Sequence, residues 1–408
     1  MREIDVLVIG AGPSGAIASA ILHKNKDLKV LVVEKERFPR FVIGESLLPF
    51  CMNILEEAGF LDSVQRYGFQ FKNGAAFNYK DEYRYFDFCD KSSDGYGTTY
   101  QVQRADFDKL LIECAISQGV EVKFETMVEN LSFNTDYVEA KLSNGDIIRA
   151  RFIVDASGYG RVLPRMLDLE AESNLPCRKA YFTHIQDNIK EILYDRKKIL
   201  VSIHPDFRDV WFWLIPFANG KCSIGVVGSP DLIDNGFEKE IVENDFKSIL
   251  KTHTYSVPIL KRLLIDSKWD MDVRSIESYS KDVKKLYGDK FILLGNASEF
   301  LDPVFSSGVT IAMYSASLAG KLIPRILNGE ELDLEKEYAE ELMYGINAFR
   351  TYVNGWYDGR FQDVIFTKNE NNTIKRQICS ILAGYAWDKK NPYAYKSETS
   401  LNAVWKYC

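Results

Sequence analysis

The first strand-turn-helix segment imposes the strongest constraint on the fold of this chain. The apolar run Val6-Leu-Val-Ile9 leads directly into Gly10-Ala-Gly12-Pro-Ser-Gly15, and a stretch of small and apolar residues follows from Ala16 to Leu22. A short β-branched run of this kind is typical of a strand buried on both faces of a parallel sheet, and the glycines indicate a tight turn into a helix. Together with a second apolar run at Lys29–Val33, this order predicts an α/β fold that opens with a β-α-β unit.

The spacing of this unit also predicts a ligand. Glu34 ends the second strand, 19 residues after Gly15. In dinucleotide-binding turns the glycines let a pyrophosphate approach the backbone, the helix start offers unpaired N–H groups, and an acid at the second strand end accepts ribose hydroxyls. We therefore expect Gly10, Gly12, Gly15 and Glu34 to bind the ADP part of a dinucleotide. Glu34 disfavours a 2′-phosphate by charge repulsion, but NAD and the ADP half of FAD remain alternatives at this point.

Two later segments repeat the pattern of a buried strand followed by a glycine turn. Residues 148–157 form a predicted strand that ends at Asp155 and runs into Gly158, after a hairpin with Asn144-Gly145 at its turn. Phe291-Ile-Leu-Leu294 leads into Gly295-Asn296-Ala297 and then into Leu301-Asp-Pro-Val-Phe-Ser-Ser-Gly-Val309, ahead of an apolar helix over about residues 310–327.

These three segments together resemble the FAD-binding fold of flavin monooxygenases, flavin-dependent halogenases and geranylgeranyl-reductase-like enzymes. The resemblance covers most of residues 1–330. It implies non-covalent FAD and the following additional cofactor-binding residues: Asp155, Gly158, Asn296, Asp302, Pro303, Gly308 and Val309. The family usually has Gly-Asp-Ala where this chain has Gly-Asn-Ala, but the amide of Asn296 can still hydrogen-bond a ribityl hydroxyl.

The same resemblance implies a role for Arg104, which opens a predicted helix and would lie near the flavin diphosphate or ribityl chain. An ordinary exposed arginine in the first helical turn is the alternative. The small residues Ser306, Ser307 and Gly308 would either let the backbone approach the flavin ring or leave room for a halide, and we favour the close approach.

A tryptophan-rich strand does not by itself distinguish the candidate families. Alternation along Trp211-Phe-Trp213-Leu-Ile215-Pro216 places Trp211 and Trp213 on one face of the strand. The run is similar to the W-x-W-x-I-P signature of flavin-dependent halogenases, which implies catalytic tryptophans, although geranylgeranyl-reductase-like enzymes have a related run. Packing in the core between two domains is the alternative.

Two more segments, Gly44-Glu45-Ser46-Leu-Leu-Pro49 and Gly68-Phe-Gln-Phe-Lys72-Asn-Gly74, are similar to the phenol and pyrrole branch of the halogenases. This resemblance implies that Glu45 and Ser46 contact the flavin. It also implies that Lys72 is catalytic, lying between flavin and substrate and holding the hypohalous acid. A solvent-facing lysine on a strand is the alternative.

Composition excludes several other classes of function. With 51 Lys and Arg against 58 Asp and Glu, a formal charge of −7, the chain lacks the basic surface that nucleic acid requires. Its seven cysteines include no C-x-x-C pair, and its four histidines have no ligand spacing, so we expect neither a disulfide framework nor a metal site. Without an apolar run of about 18 residues or a signal peptide, we expect no transmembrane segment and a cytoplasmic location.

The segments also predict a domain organisation. We expect a Rossmann-like FAD-binding domain with a β meander at residues 1–71, 104–175 and 286–330. A mostly antiparallel α+β substrate domain would comprise residues 72–103 and 176–285, and a helical C-terminal region residues 331–408.

By this interpretation the protein is an FAD-dependent oxidoreductase, a halogenase-like monooxygenase that uses reduced FAD and O2 to halogenate or hydroxylate an electron-rich aromatic substrate, free or carrier-bound. No second nucleotide-binding unit occurs, so electrons would come from a flavin reductase or from NAD(P)H that docks transiently. A flavin-dependent reductase of isoprenoid double bonds and a flavin redox module without an organic substrate remain alternatives.

Overall fold

The computed structural model describes residues 2–190, 194–235 and 245–408. Its strands, numbered in chain order, are β1 Arg2–Ile9, β2 Val30–Val33, β3 Gln70–Lys72, β4 Gly74–Tyr79, β5 Glu82–Asp87, β6 Thr99–Gln101, β7 Glu121–Lys123, β8 Val128–Phe133, β9 Val138–Leu142, β10 Ile147–Asp155, β11 Glu170–Glu172, β12 Lys179–Gln186, β13 Lys198–Ile203, β14 Trp211–Pro216, β15 Lys221–Gly228, β16 Arg274–Glu277, β17 Lys281–Val283, β18 Tyr287–Gly288 and β19 Phe291–Leu293.

The helices are numbered in the same way. They are α1 Pro13–His23, α2 Phe50–Ala58, α3 Leu61–Tyr67, α4 Arg104–Ser117, α5 Val162–Met166, α6 Pro230–Asn235, α7 Phe246–Ser256, α8 Pro258–Leu263, α9 Ser307–Leu327, α10 Glu341–Tyr357, α11 Arg360–Phe366, α12 Asn372–Leu382, α13 Pro392–Tyr395 and α14 Ser397–Trp405. A π-helical segment, Glu335–Glu340, leads into α10.

The first sheet confirms the predicted β-α-β unit. Its strands lie in the order β18-β19-β10-β1-β2-β7, and β8 and β9 extend it from β10 as an antiparallel meander. Strand β1 pairs in parallel with both β2 and β10. Helix α1 begins at Pro13, earlier than the predicted Ala16, because proline is well suited to the first turn, where its missing N–H is not needed. The α/β class predicted from the sequence is therefore confirmed.

The second sheet is mostly antiparallel and has the order β16-β12-β15-β14-β13-β4-β5. As alternation along β14 predicts, Trp211, Trp213 and Ile215 pack into the large core that also contains α1 and α9, whereas Phe212 and Leu214 pack into a separate core against α7 and α8. The tryptophan face of β14 therefore turns toward the first sheet and its helices.

The C-terminal region is helical, as predicted, and joins the large core through aromatic side chains. Trp356 of α10 packs edge-on against Phe305, with the ring centroids 5.8 Å apart. Trp387, which follows α12, stacks on Phe50 with a centroid distance of 5.7 Å. The helices of the C-terminal region therefore cover the start of both α2 and α9.

A buried carboxylate connects three segments that are far apart in the chain. Asp302 accepts hydrogen bonds through Oδ2 from the hydroxyls of Tyr279 (3.1 Å) and Tyr357 (2.8 Å), and through Oδ1 from the Val304 N–H. Tyr357, at the end of α10, also accepts a 3.0 Å hydrogen bond from Trp211 Nε1. We call Asp302, Tyr279, Tyr357 and Trp211 the Asp302 hub. It links the segment before α9 to the tryptophan strand and to the C-terminal helices.

The glycine turn offers a matched pair of substitutions. A Cβ at Gly15 would lie 1.9 Å from the carbonyl oxygen of Gly10, whereas a Cβ at Gly12 would meet only Arg40 Nη2, at 3.5 Å. We expect Gly15→Ala to lower the free energy of unfolding by about 1–3 kcal/mol through overpacking, and Gly12→Ala to leave it unchanged. Denaturant titration of the ligand-free protein measures both, and equal effects would contradict this account of the turn.

The Asp302 hub gives a second prediction. Tyr357→Phe leaves the buried Trp211 N–H without an acceptor and removes one donor to Asp302, so we expect it to destabilise the protein by about 1–3 kcal/mol. The matched control is Tyr395→Phe, because the Tyr395 side chain is 60% exposed. Thermal and denaturant unfolding measure both variants, and a Tyr357→Phe variant as stable as this control would show that the hub contributes nothing.

Candidate functional site

A cavity of about 410 Å³ lies between the first sheet and the tryptophan face of the second. Its walls are built from the glycine turn, the loop before α2, the turn after β10 and the segment before α9, together with β12, β13 and β14. Of the residues predicted from the sequence, the cavity is lined by Gly10, Gly12, Glu34, Glu45, Ser46, Arg104, Gly158, Trp211, Trp213, Asn296, Pro303, Gly308 and Val309. The tertiary structure thus brings most of the predicted residues to one site.

Glu34 closes the glycine turn at one end of this cavity. Its Oε2 accepts the N–H of Ala11 (2.8 Å) and its Oε1 the N–H of Glu36 (3.0 Å). Each carboxylate oxygen has two acceptor positions, so Glu34 can still accept hydroxyl protons from a ribose. Gly10 has φ +102°, and a Cβ there would lie 2.5 Å from the carbonyl oxygen of Ala156, so only glycine fits the turn.

Two helices begin at this cavity without a capping side chain. Helix α1 starts after Gly12 and α9 after Ser306, and neither has an acidic residue in its first turn. The first N–H groups of each helix therefore lack an intrahelical partner, and the positive end of each helix dipole favours a negatively charged group. Anionic phosphates and a reduced flavin ring are groups of this kind.

Arg104 is nearly fully buried, which excludes the alternative of an exposed surface arginine. Its Nε and Nη2 donate to the two oxygens of Asp108 at 2.7 and 2.9 Å, and its Nη1 donates to the carbonyl of Ile43 at 2.8 Å. Arg104 therefore fixes the loop before α2 against the cavity.

Arg40 is a lining residue that sequence reasoning missed. Its guanidinium also contacts Asp108, at 3.3 Å, and lies 4.6 Å from the ring centroid of Phe38. Its sequence signal is weak, because Lys35, Arg37 and Arg40 are interspersed with Glu36, Phe38 and Pro39 and have no fixed spacing from the glycine turn.

Three of the described residues that were predicted to bind the cofactor do not line the cavity. Gly15 packs α1 against the glycine turn, and Asp302 belongs to the hub described above. Asp155 accepts the N–H groups of Ser157 (2.9 Å) and Leu163 (2.7 Å), and burial raises the pKa of its carboxyl. In this structure the polar contacts of both aspartates shape the turns around the cavity.

The end of the cavity nearest the second sheet is apolar and aromatic. Trp211, Trp213, Ile215, Phe182 and Ile199 line it. The indole N–H of Trp213 donates to Ser223 Oγ at 3.0 Å and that of Trp211 donates to Tyr357, so both rings are held in place. Such a wall suits a flat aromatic ring and excludes water.

Lys72 is fully buried on β3, so the alternative of a solvent-facing lysine is wrong. Its Nζ donates to Ser46 Oγ (2.8 Å) and to the carbonyl of Leu47 (2.7 Å) and lies 5.3 Å from the Phe88 ring centroid. Burial lowers the pKa of its ammonium to about 7. Among the described residues Lys72 is not part of the cavity lining, but its hydrogen-bond partner Ser46 is.

The sequence did not predict the buried polar pair that Glu45 and His184 form. Glu45 Oε1 lies 2.5 Å from Nε2 of His184, which comes from the middle of β12. No spacing rule connects these two residues, because they are 139 positions apart in the chain.

The arrangement fits FAD. The glycine turn, Glu34 and the start of α1 match an ADP group, and α9 presents its N-terminus, which favours a reduced flavin ring, to the same cavity. A side chain at Gly158 would meet no atom within 4 Å, so the backbone there is open to a ligand.

Residues 2–190, 194–235 and 245–408 contain no group of three or more His, Cys, Asp or Glu side chains placed to hold a metal ion. Among the helices of the same residues, none has both the length and the apolar character needed to span a bilayer.

The comparisons with known proteins agree with this site. Residues 3–341 match the FAD binding domain family. The chain is 30% identical over 395 residues to the 1H-pyrrole-2-carbonyl-(peptidyl-carrier protein) chlorinase of Pseudomonas fluorescens. The aligned region covers 88% of this chain and 82% of the chlorinase.

Solved structures are similar over nearly the whole chain. A flavoprotein/dehydrogenase from Cytophaga hutchinsonii is 44% identical with a TM-score of 0.94, covering 100% of this chain and 98% of that one. A flavin-dependent brominase is 25% identical with a TM-score of 0.83, and the match covers 100% of this chain and 99% of the brominase.

The FAD binding domain match covers well over half of the chain, and the similarity to the chlorinase extends over 88% of it. This protein therefore belongs to the FAD-dependent, halogenase-like flavoenzymes and is an FAD-dependent oxidoreductase of the monooxygenase type.

Proposed function

We propose that this enzyme transfers an electrophilic halogen or hydroxyl group to an electron-rich aromatic substrate. Bound FAD, when reduced, supplies the electrons that activate O2. The single observation that carries the proposal is the buried Lys72, which reaches the cavity through Ser46 at 2.8 Å. The protein's own contribution is to bind and orient the reactants, exclude water and supply protons.

Lys72 is suited to hold or donate a proton near the reacting atoms. An ammonium has three N–H donors, and two of them are used by Ser46 and Leu47. A pKa of about 7 lets the side chain exchange between ammonium and amine near neutral pH. The Ser46 hydroxyl accepts an N–H of Lys72 and can donate its own O–H toward the cavity, so it can relay a proton between Lys72 and the cavity.

The substrate class follows from the cavity wall and from the names of similar proteins. The aromatic end of the cavity suits a planar, apolar ring. One relative is a chlorinase, and another a brominase, of a pyrrole-2-carbonyl group on a peptidyl-carrier protein. A phenol or pyrrole, free or carrier-bound, is the class of substrate that we propose, with chloride or bromide as the halide. A flavin reductase or NAD(P)H would supply the electrons.

The predicted domain boundaries also remain part of the proposal. Strands β1, β2, β7, β10 and β19 of the first sheet all lie in residues 1–71, 104–175 and 286–330. Strands β4, β5 and β12 to β16 of the second sheet lie in residues 72–103 and 176–285. This division supports an FAD-binding domain interrupted twice by a substrate domain, followed by the helical region 331–408.

One observation favours a second candidate function. The structure at 44% identity is named a flavoprotein/dehydrogenase. A dehydrogenase or reductase would exchange hydride with its substrate and would need neither halide nor O2.

Product analysis separates the two functions. Purified protein with FAD, NADH, a flavin reductase, O2 and bromide is given phenol, pyrrole and phloroglucinol. Brominated or hydroxylated products in the mass spectrum support the proposal. Absence of both products, together with anaerobic reduction of bound FAD by an organic donor, would support the dehydrogenase.

Lys72 is the residue to substitute first. We expect Lys72→Met to lower turnover by roughly 10²–10⁴-fold, the range typical of a lost acid–base group, while FAD still binds. The control is Lys198→Met, because Lys198 is also a buried lysine but pairs with Asp195 (2.7 Å) away from the cavity lining. Product formation and FAD fluorescence are measured for both variants, and unchanged turnover in Lys72→Met would remove Lys72 from the mechanism.

The lowered pKa of Lys72 also predicts a pH-dependent stability. Between about pH 7 and pH 10 the unfolded chain keeps the lysine protonated and the folded protein does not, so this residue makes stability rise with pH. Relative to Lys72→Met, the wild-type free energy of unfolding should rise by about 1.4 kcal/mol per pH unit over this window. Denaturant titrations across the window test this, and a constant difference between the two proteins would show that Lys72 keeps its ordinary pKa.

A further inference from the structure

A row of oxidisable side chains leads from the cavity wall toward the outside of the protein. Trp213 and Trp211 both line the cavity, and their ring centroids are 5.9 Å apart. The indole Nε1 of Trp211 donates a 3.0 Å hydrogen bond to the hydroxyl of Tyr357, which is half-buried at the end of α10. Tryptophan and tyrosine are among the side chains that give up a single electron most readily. We call Trp213, Trp211 and Tyr357 the aromatic row.

The two indoles of this row are held at a fixed separation. The N–H of Trp213 donates to Ser223 Oγ at 3.0 Å. Its six-membered ring lies against Gly225 of β15, where a Cβ would come within 2.2 Å of Trp213 Cζ2, so only glycine leaves space for the ring. The N–H of Trp211 is anchored on Tyr357. Electron transfer between side chains needs close and constant contact, and the row provides both.

The hydrogen bonds of Tyr357 have a single direction. An indole N–H can only donate, so the Tyr357 oxygen is the acceptor in its contact with Trp211. The hydroxyl proton of Tyr357 is then directed to Asp302 Oδ2, at 2.8 Å. Burial raises the pKa of the Asp302 carboxyl and so makes it a stronger base. The proton of Tyr357 therefore has an acceptor already in place.

A neighbouring cation makes that acceptor necessary. The guanidinium carbon of Arg178 lies 4.1 Å from the centroid of the Tyr357 ring. Arg178 is almost fully buried and pairs with Asp209 at 3.0 Å. A positive charge at this position opposes a second positive charge on the ring. Removal of an electron from Tyr357 is therefore coupled to loss of its hydroxyl proton.

We propose that the aromatic row carries oxidising equivalents out of the cavity, one electron at a time, and that Asp302 takes up the proton that Tyr357 releases. The row would protect the site from one-electron oxidants, a chemical class that includes radicals derived from O2 and light-excited flavin. This inference requires FAD in the cavity, but it does not depend on which group the enzyme transfers to its substrate. Absence of halogenated or hydroxylated products would therefore leave it standing.

The electrons and protons of this relay balance. The oxidant in the cavity gains one electron from Trp213, which regains one from Trp211. Trp211 in turn regains one from Tyr357, whose O–H bond breaks as the proton moves to Asp302 Oδ2. The products are a neutral tyrosyl radical and a protonated Asp302. Ascorbate in solution then returns one electron to Tyr357, and Asp302 returns the proton.

Light-excited FAD is the oxidant with which the relay is tested. FAD-loaded wild-type protein receives a blue laser pulse, and transient absorption and electron paramagnetic resonance identify the radicals that form. We expect a tryptophan radical that decays into a neutral tyrosyl radical, and the second step should be slower in D2O because a proton moves. A tryptophan radical that decays without a tyrosyl radical, or no protein radical at all, would overturn the proposal without any variant being made.

Tyr279→Phe is the matched control for Tyr357→Phe. Both substitutions remove one hydroxyl donor from Asp302 Oδ2, but Tyr357 also contacts Trp211, whereas the Tyr279 ring packs beside Phe300 with a centroid distance of 5.9 Å. We expect Tyr357→Phe to lose the tyrosyl radical and to keep the tryptophan radical, and Tyr279→Phe to keep both. A tyrosyl radical that persists in Tyr357→Phe, or that is lost equally in both variants, contradicts the path.

The middle of the row has its own pair of variants. Trp211→Phe should lose the tyrosyl radical and retain a tryptophan radical on Trp213. The control is Trp269→Phe, because Trp269 is also buried but belongs to the separate core around α7. We expect this control to form both radicals as wild type does. Wild-type yields of the tyrosyl radical in Trp211→Phe would show that electrons reach Tyr357 by another route, and the proposal fails.

Asp302→Asn tests the proton acceptor. The amide oxygen still accepts a hydrogen bond from Tyr357, but the amide is not a base, so formation of the tyrosyl radical should be lost or become much slower. Tyrosyl radical formation at the wild-type rate in Asp302→Asn, or an absence of any D2O effect in wild type, would show that Asp302 does not receive the proton.

Discussion

The Asp302 hub is a buried hydrogen-bond network that joins segments far apart in the chain. One carboxylate accepts the hydroxyls of Tyr279 and Tyr357 and the N–H of Val304, and Tyr357 in turn accepts the indole N–H of Trp211. These groups come from the segment before α9, from the second sheet and from the C-terminal helix α10. A buried polar group without a hydrogen-bond partner costs free energy, so these three segments must meet in one arrangement. The cavity takes its shape from that arrangement.

The site itself combines an apolar wall with a few buried polar groups. Burial lowers the pKa of Lys72 and raises that of Asp302, so both groups disfavour their charged forms. Stability alone would favour apolar residues at such positions. Enzymes commonly keep groups with a perturbed pKa where protons are transferred, and Lys72 lies directly behind the cavity wall, hydrogen-bonded to Ser46.

The part of the site that follows from local sequence was predictable. The glycine turn, Glu34 and the segment from Pro303 to Val309 are contiguous runs in which each residue type has a local geometric reason. Contacts between distant segments were not predictable. Folding brings Arg40 and Tyr279 to the cavity lining and His184 to Glu45. The position of Lys72 behind Ser46 depends on the pairing of β3 with β6.

Local sequence was enough to predict the β-α-β unit, the glycine turn and the two faces of the tryptophan strand, because backbone periodicity and glycine geometry act over a few neighbouring residues. Which polar groups satisfy each other depends on the fold. In the folded protein Asp155 accepts backbone N–H groups, and Asp302 accepts tyrosine hydroxyls as well. The physical reason is that hydrogen bonding and desolvation depend on which segments meet in space, and one sequence read alone does not fix that.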